Sequence, residues 1–189
     1  MASFLVYLIL TLILGAQLTR RSFLIRRRWF IFAAAVLIIG SLETYYVYAQ
    51  YRLWLASDLT KYFLPPYQNL AYFFFYVFKR ILVSYLVSFA AALIASFLLF
   101  WLNRYFGYRF FYSEEPFLAA ASIFLVGYPA FLFYLPLTLL IILIASVFFS
   151  WRRHSDRFSF RYLWVPTALF VIIISDWLSG FDWWRLFTI

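Results

Sequence analysis

With 189 residues, 67% of them hydrophobic and 12% charged, and a mean hydropathy of +0.90, the chain is too apolar for a water-soluble domain, which averages about 45–50% apolar and about 25% charged residues. The net charge of +9 does not point to nucleic acid, because Arg and Lys fall in short clusters between apolar runs, as in juxtamembrane segments that meet lipid headgroups. There is no cysteine and a single histidine, His154, which excludes disulfides, thiolate catalysis, Cys-ligated zinc or iron–sulfur sites and a multi-histidine metal centre, so neither a cofactor nor a metal is expected.

A helix needs about 20 mostly apolar residues to cross the hydrocarbon core, and only helices or closed barrels satisfy their backbone there. The apolar runs lack the alternation of a barrel strand. The expectation is an all-α transmembrane helix bundle of six or seven spans, forming one integral membrane domain over residues 1–189. Residues 2–19 are the first run; no charge precedes them and arginines follow, so they read as a retained helix and not as a cleaved signal. The second run, from about Trp29 to Gln50, contains Glu43. Residues 51–67 are mixed, and Pro65–Pro66 breaks a helix there.

A short third span is expected from about Tyr62 to Phe78, ended by Lys79–Arg80, and a fourth from about Ile81 to Leu102. The fourth carries Ser84, Ser88, Ala91 and Ala95 at helical spacing, small residues that permit close packing in lipid. The charge-free stretch from Pro116 to Ser150 is too long for one crossing, so a turn is expected at Gly127–Tyr128–Pro129. A basic loop, 151–161, precedes a last span from about Tyr162 to Asp176, and the Trp-rich tail suits the membrane interface. With seven spans the Arg and Lys residues divide equally between the two sides, which leaves the orientation open.

An ionisable group at membrane depth costs about 2.5–3.5 kcal/mol on insertion scales, so each acid in or beside an apolar run is a candidate site. Glu43 is either a proton or cation ligand or a hydrogen-bonded interfacial carboxyl. Asp176 closes the last span, where an interfacial placement accounts for it. Glu114 and Glu115 precede Pro116, a combination that suits a helix start, although two adjacent carboxylates would repel if buried together. Asp58 suits a turn.

Three stretches resemble, in order and spacing, the prepilin peptidases, GxGD-type intramembrane aspartyl proteases that cut leader peptides from type IV pilin precursors. Residues 58–66 (DLTKYFLPP) are similar to the family's Asp-Leu-x-x-x-x-Ile/Leu-Pro-Asp motif. Residues 112–129 (YSEEPFLAAASIFLVGYP) are similar to its GxGD-x-x-Leu-x-Ala-Ala…Gly-Trp-Pro segment. Residues 151–176 match the basic loop and the last helix ending in Gly-Asp, and Gly15-Ala16-Gln17-Leu18 falls where the first helix has Gly-Ser-Phe-Leu.

The resemblance implies a mechanism with two aspartates that share a water, one as base and one as acid. Pro66 and Glu115 stand at those positions, with Tyr112 and Glu114 for the two motif glycines. Pro66 cannot ionise. Glu115 is longer than Asp by a methylene, and a carboxyl misplaced by about 1 Å can cost about 100-fold. The resemblance thus implies an aspartyl-protease-like scaffold in a bacterial plasma (inner) membrane that has lost its activity; an active version would have to use Glu115, Asp58 and Glu114. Both motif positions face the cytoplasm in the family, which puts the five-arginine segment 20–28 outside if residues 2–19 fully cross. The expected partners are the lipid bilayer and pilin-like leader helices or other membrane subunits, with no nucleic acid. An accessory structural subunit of a larger membrane complex is the alternative, and a small transporter with Glu43 and Asp176 lining its path is a third reading.

Overall fold

The structure, a computed structural model, describes residues 2–19, 21–107, 111–152, 160–178 and 180. Every regular element among them is helical. Helices α1 (Ala2–Thr19) and α2 (Arg21–Ala56) lead to a single 3-10 turn at Thr60–Phe63 and then to α3 (Ala71–Val77). A π turn at Phe78–Leu82 joins α3 to α4 (Val83–Tyr105) without interruption; α5 (Glu115–Val126), α6 (Phe131–Arg152) and α7 (Arg161–Leu178) follow. Three helices are long and apolar enough to cross a membrane: Ile25–Ala56, Ala71–Tyr105 and Phe131–Phe148. Phe4–Thr19, Glu115–Val126 and Arg161–Ser175 are shorter apolar helices.

The break expected at Lys79–Arg80 is absent, and the two spans expected on either side of it are one 35-residue helix, Ala71–Tyr105. Charge does not end a helix; proline and glycine do, and neither occurs between Ala71 and Tyr105. The long stems of Lys79 and Arg80 can carry their charges to an interface while the backbone continues. The chain breaks earlier instead, in the turns around Pro65–Pro66, and α3 starts where the Asn69 Oδ1 accepts the Ala71 N–H. A separate aromatic cluster forms here, with Trp54, Leu64, Phe73 and Val77 buried together and Trp54 in ring contact with Phe63, Tyr72, Phe73 and Tyr76.

The main core is built around α5. All twelve of its residues are buried, the pattern of a helix surrounded on every side. Its most extensive neighbours are α4 and α7, with α1, α2 and α6 completing the enclosure. The small-residue face of α4 makes the close approach possible, since Ser88 and Ala92 are buried and Ala91 and Ala95 pack against the core. Phe32 of α2, Phe89 of α4 and Phe117 and Phe124 of α5 interlock as rings 5.9–6.4 Å apart. Gly127 ends α5 at φ 76, ψ 165, a backbone region open essentially to glycine alone, and the expected turn at Gly127–Tyr128–Pro129 follows.

Four contacts define one end of the bundle. Gln17 Nε2 donates to the Arg161 carbonyl at 2.7 Å, Arg28 Nη1 donates to the Ser113 carbonyl at 2.6 Å, Asn103 exchanges two hydrogen bonds with the Phe111 backbone, and Arg161 pairs with Glu114. The end of α1, the start of α2, the end of α4 and the starts of α5 and α7 therefore meet at an arginine end. The opposite, aromatic end holds the α2–α3 connection.

Ile123, fully buried on α5, tests this core. Ile123→Ala is expected to cost about 2–4 kcal/mol of unfolding free energy in detergent, whereas Leu143→Ala on the exposed face of α6 stays within about 0.5 kcal/mol.

Candidate functional site

The sequence before α5 starts a helix as its composition suggests, with Glu114 at the N-cap, Glu115 in the first turn and Pro116 beside it. A carboxylate there gains from the positive end of the helix dipole. Both carboxylates are interior: Glu115 is 0% exposed and Glu114 is 3% exposed. Glu114 Oε1 lies 3.5 Å from Arg161 Nη1, and its Oε2 accepts a 3.3 Å hydrogen bond from Ser113 Oγ. Arg161 opens α7, and its guanidinium also lies over the Tyr162 ring. The backbone on either side is pinned as well, by Arg28 on Ser113 and by Gln17 on Arg161.

Adjacent residues on a helix do not face one another, so Glu114 and Glu115 are not arranged as two carboxyls around one water. Asp58 is not brought to them. It follows the far end of α2, 96% exposed and ion-paired with Lys61 at 2.7 Å, a turn residue. From Arg28, beside Ser113, to Ala56 is about 40 Å of helix at 1.5 Å per residue. Pro66 is exposed in the same aromatic-end turns. Among the described carboxylates, only the neighbours Glu114 and Glu115 are together.

Beside the start of α5 lies a groove of about 570 Å³ between α2 and α4, walled by Trp29, Phe32, Phe97, Phe100 and Phe117, with Arg28, Asn103 and Ser113 at its polar edge. A second cavity, about 630 Å³, opens toward the aromatic end and contains Glu43. Glu43 is 5% exposed because it continues the inward stripe Phe32–Ala35–Ile39 at helical spacing. Along α2 it stands about 22 Å from Arg28 and about 13 Å from Arg52. Asp176 belongs to α7; its side chain, His154, residues 153–159 and the tail 181–189 lie outside the described residues. Among the described residues, no group of three or more His, Cys, Asp or Glu could hold a metal ion.

The roles of Gln17, Arg28 and Arg161 are not singled out by composition. Gln17 has a retrievable signal, since it lies on the same helical stripe as buried Leu10 and Ile13. Arg161 has none, because the arginines of segment 151–161 look alike until one of them meets a buried acid. Compared with known proteins, the chain matches no family model, no curated sequence and no solved structure.

Removing one member of a buried ion pair leaves the other charge uncompensated, which costs about 3–5 kcal/mol. Arg161→Leu is expected to lower stability by about 3 kcal/mol in detergent unfolding, and adding Glu114→Gln is expected to recover about 1–2 kcal/mol of it. No recovery in the double variant would show that the pair is not coupled.

Proposed function

We propose that the protein is a non-cleaving membrane scaffold of the prepilin-peptidase type that receives an apolar helix, such as a pilin-like leader, in the groove beside the start of α5. One observation carries the reading: Glu114 is ion-paired with Arg161 and Glu115 is fully buried next to an open aromatic groove, while Asp58 and Pro66 lie about 40 Å away along α2. The stretches that carry most of the resemblance support it too, since residues 112–129 and the described part of 151–176 pack as neighbours through α5 and α7. Residues 58–66 do not join them. Helix-in-groove binding needs an apolar trough with a few orienting polar groups, and Arg28, Asn103 and Ser113 at the edge fit that need.

The same reading puts six segments in a bacterial plasma membrane: α1, α2, α3–α4 as one and α7 as crossings, and α5 and α6 as a hairpin that begins and ends at the arginine end. Among the described residues, Arg21, Arg26, Arg27, Arg28, Arg104, Arg152 and Arg161 then fall to the arginine end, and Arg52, Lys61, Lys79 and Arg80 to the other. The positive-inside rule assigns the arginine end to the cytoplasm. Since the chain has no cysteine, single cysteines report sidedness directly. A membrane-impermeant maleimide is expected to label Leu59→Cys in intact cells and Ser22→Cys only after lysis; the reverse pattern overturns the orientation, and external labelling of both overturns the pass count.

For the function itself, a type IV pilin precursor reconstituted with the protein is expected to keep its leader, with no difference on Glu115→Gln. A photo-crosslinking residue at Phe97 in the groove is expected to capture the leader helix, and one at Ile173, exposed on α7, is not. Cleavage that disappears in Glu115→Gln defeats the non-cleaving reading, and equal capture at the two positions defeats the groove.

A further inference from the structure

We infer that the cavity around Glu43 is a binding site for an organic ammonium group that enters from the aromatic end. This site is distinct from the groove at the arginine end: the groove is lined by the start of α5 and the cavity by its end.

The argument begins with backbone. Gly127 and Tyr128, where the chain leaves α5 for α6, line the same cavity as Glu43, at a depth about 18 Å along α5 from its buried start. Non-helical backbone at membrane depth is tolerated only where protein buries it or where it lines a water-filled space. Here the turn bonds itself, Gly127 N–H donating to the Ile123 carbonyl and its own carbonyl accepting from Phe131 N–H, and the cavity opens beside it because α5 ends after twelve residues, well short of a full crossing.

Its side chains then select the ligand. Glu43 supplies the carboxyl, held inside by the stripe that buries its helix face, and the phenol of Tyr85 on α4 faces it. Tyr46, Tyr85 and Tyr128 line the walls, and aromatic faces beside a carboxylate are the recognition elements for an ammonium. Ser84 and Ser88 add hydroxyls from the small-residue face of α4, although Ser88 Oγ already donates to the Ser84 carbonyl. Arg80 is exposed at the outer part of the lining, where it would favour a ligand whose other end is anionic. A volume of about 630 Å³ falls within the range of small-molecule sites, about 300–1,000 Å³. The same ammonium chemistry is offered by a free amine and by a phosphatidylethanolamine headgroup.

The test uses the full-length protein in phosphatidylglycerol nanodiscs, with thermal unfolding followed by tryptophan fluorescence. Phenethylammonium is expected to raise the unfolding temperature saturably, phenethyl alcohol is not, and Glu43→Gln is expected to weaken the amine's effect at least about tenfold. Ser84→Trp, which obstructs the cavity and leaves Glu43 in place, is expected to lose the response as well, and it decides the matter if Glu43→Gln does not fold. Repeating the titration with phosphatidylethanolamine in the nanodiscs separates the sources. A raised starting temperature and a smaller added effect of the amine identify the headgroup as occupant, and an unchanged titration identifies the free amine. A response to the alcohol equal to that of the amine, or an amine response that survives both substitutions, overturns the site.

Discussion

The whole arrangement depends on burying a twelve-residue helix on every side. An α5 of this length covers about 18 Å, too short to cross a hydrocarbon core of about 30 Å, and all its residues are interior. It therefore needs neighbours all round it. The small face of α4 lets one backbone come close, the ring cluster from Phe32, Phe89, Phe117 and Phe124 fills the side toward α2, and α7 runs beside it from a shared start. With the helix fixed in that way, its first turn is interior too. Two carboxylates in that turn must be compensated, and Arg161, Ser113 and the dipole of α5 supply part of the compensation to Glu114. The arginine-end contacts thus follow from the central helix as much as they hold it.

What could be read in advance from the sequence divides along physical lines. Apolar runs, the Glu-Glu-Pro helix start, the Gly-Tyr-Pro turn and the small-residue face of α4 all rest on local chemistry, and each was recoverable from residue types at a known spacing. The charges at Lys79–Arg80 misled because interfacial charge and chain reversal look alike along a sequence, whereas only glycine or proline breaks the backbone. That single difference has large consequences. Fusing two expected spans into Ala71–Tyr105 moves Asp58 to the end opposite Glu115, and it brings residues 21–28 to the same end as Ser113 and Glu114, as the Arg28 contact shows. Tertiary choices such as Arg161 among several arginines, or Gln17 as a cap on a neighbouring helix, have no local signature.

For the proposed relationship to the prepilin peptidases, the fused helix cuts both ways. It removes the conflict in which the arginine-rich segment 20–28 had to face away from the α5 motif, because residues 21–28 and that motif now lie at one end. It also separates the stretch 58–66 from that motif, so that stretch lends the proposal no support. What remains is a continuous block, residues 112–129 with the described part of 151–176, in which α5 and α7 start side by side and Arg161 reaches Glu114. Under the proposed relationship, the place of a catalytic acid in that block would fall on the fully buried Glu115. A groove can still receive a helix without a dyad, because helix recognition draws on apolar shape and needs no proton transfer.

The two ends of α5 also explain why this bundle has a polar cavity at all. A helix long enough to reach the aromatic end would fill the space between α2, α4 and α7 and would have no reason to leave room for Glu43. Ending at Gly127 does leave that room, because the turn satisfies its own backbone, with Gly127 N–H on the Ile123 carbonyl and Phe131 N–H on the Gly127 carbonyl, and needs no helix beyond it to do so. A carboxylate on the inward stripe of α2 is then tolerable where an aliphatic side chain would otherwise be expected, since water, the Tyr85 phenol or a bound cation can meet its charge. On this view Glu43 and the short α5 are one feature. Lengthening the helix would remove the site, and a leucine at position 43 would leave turn backbone facing a cavity with no carboxyl in it.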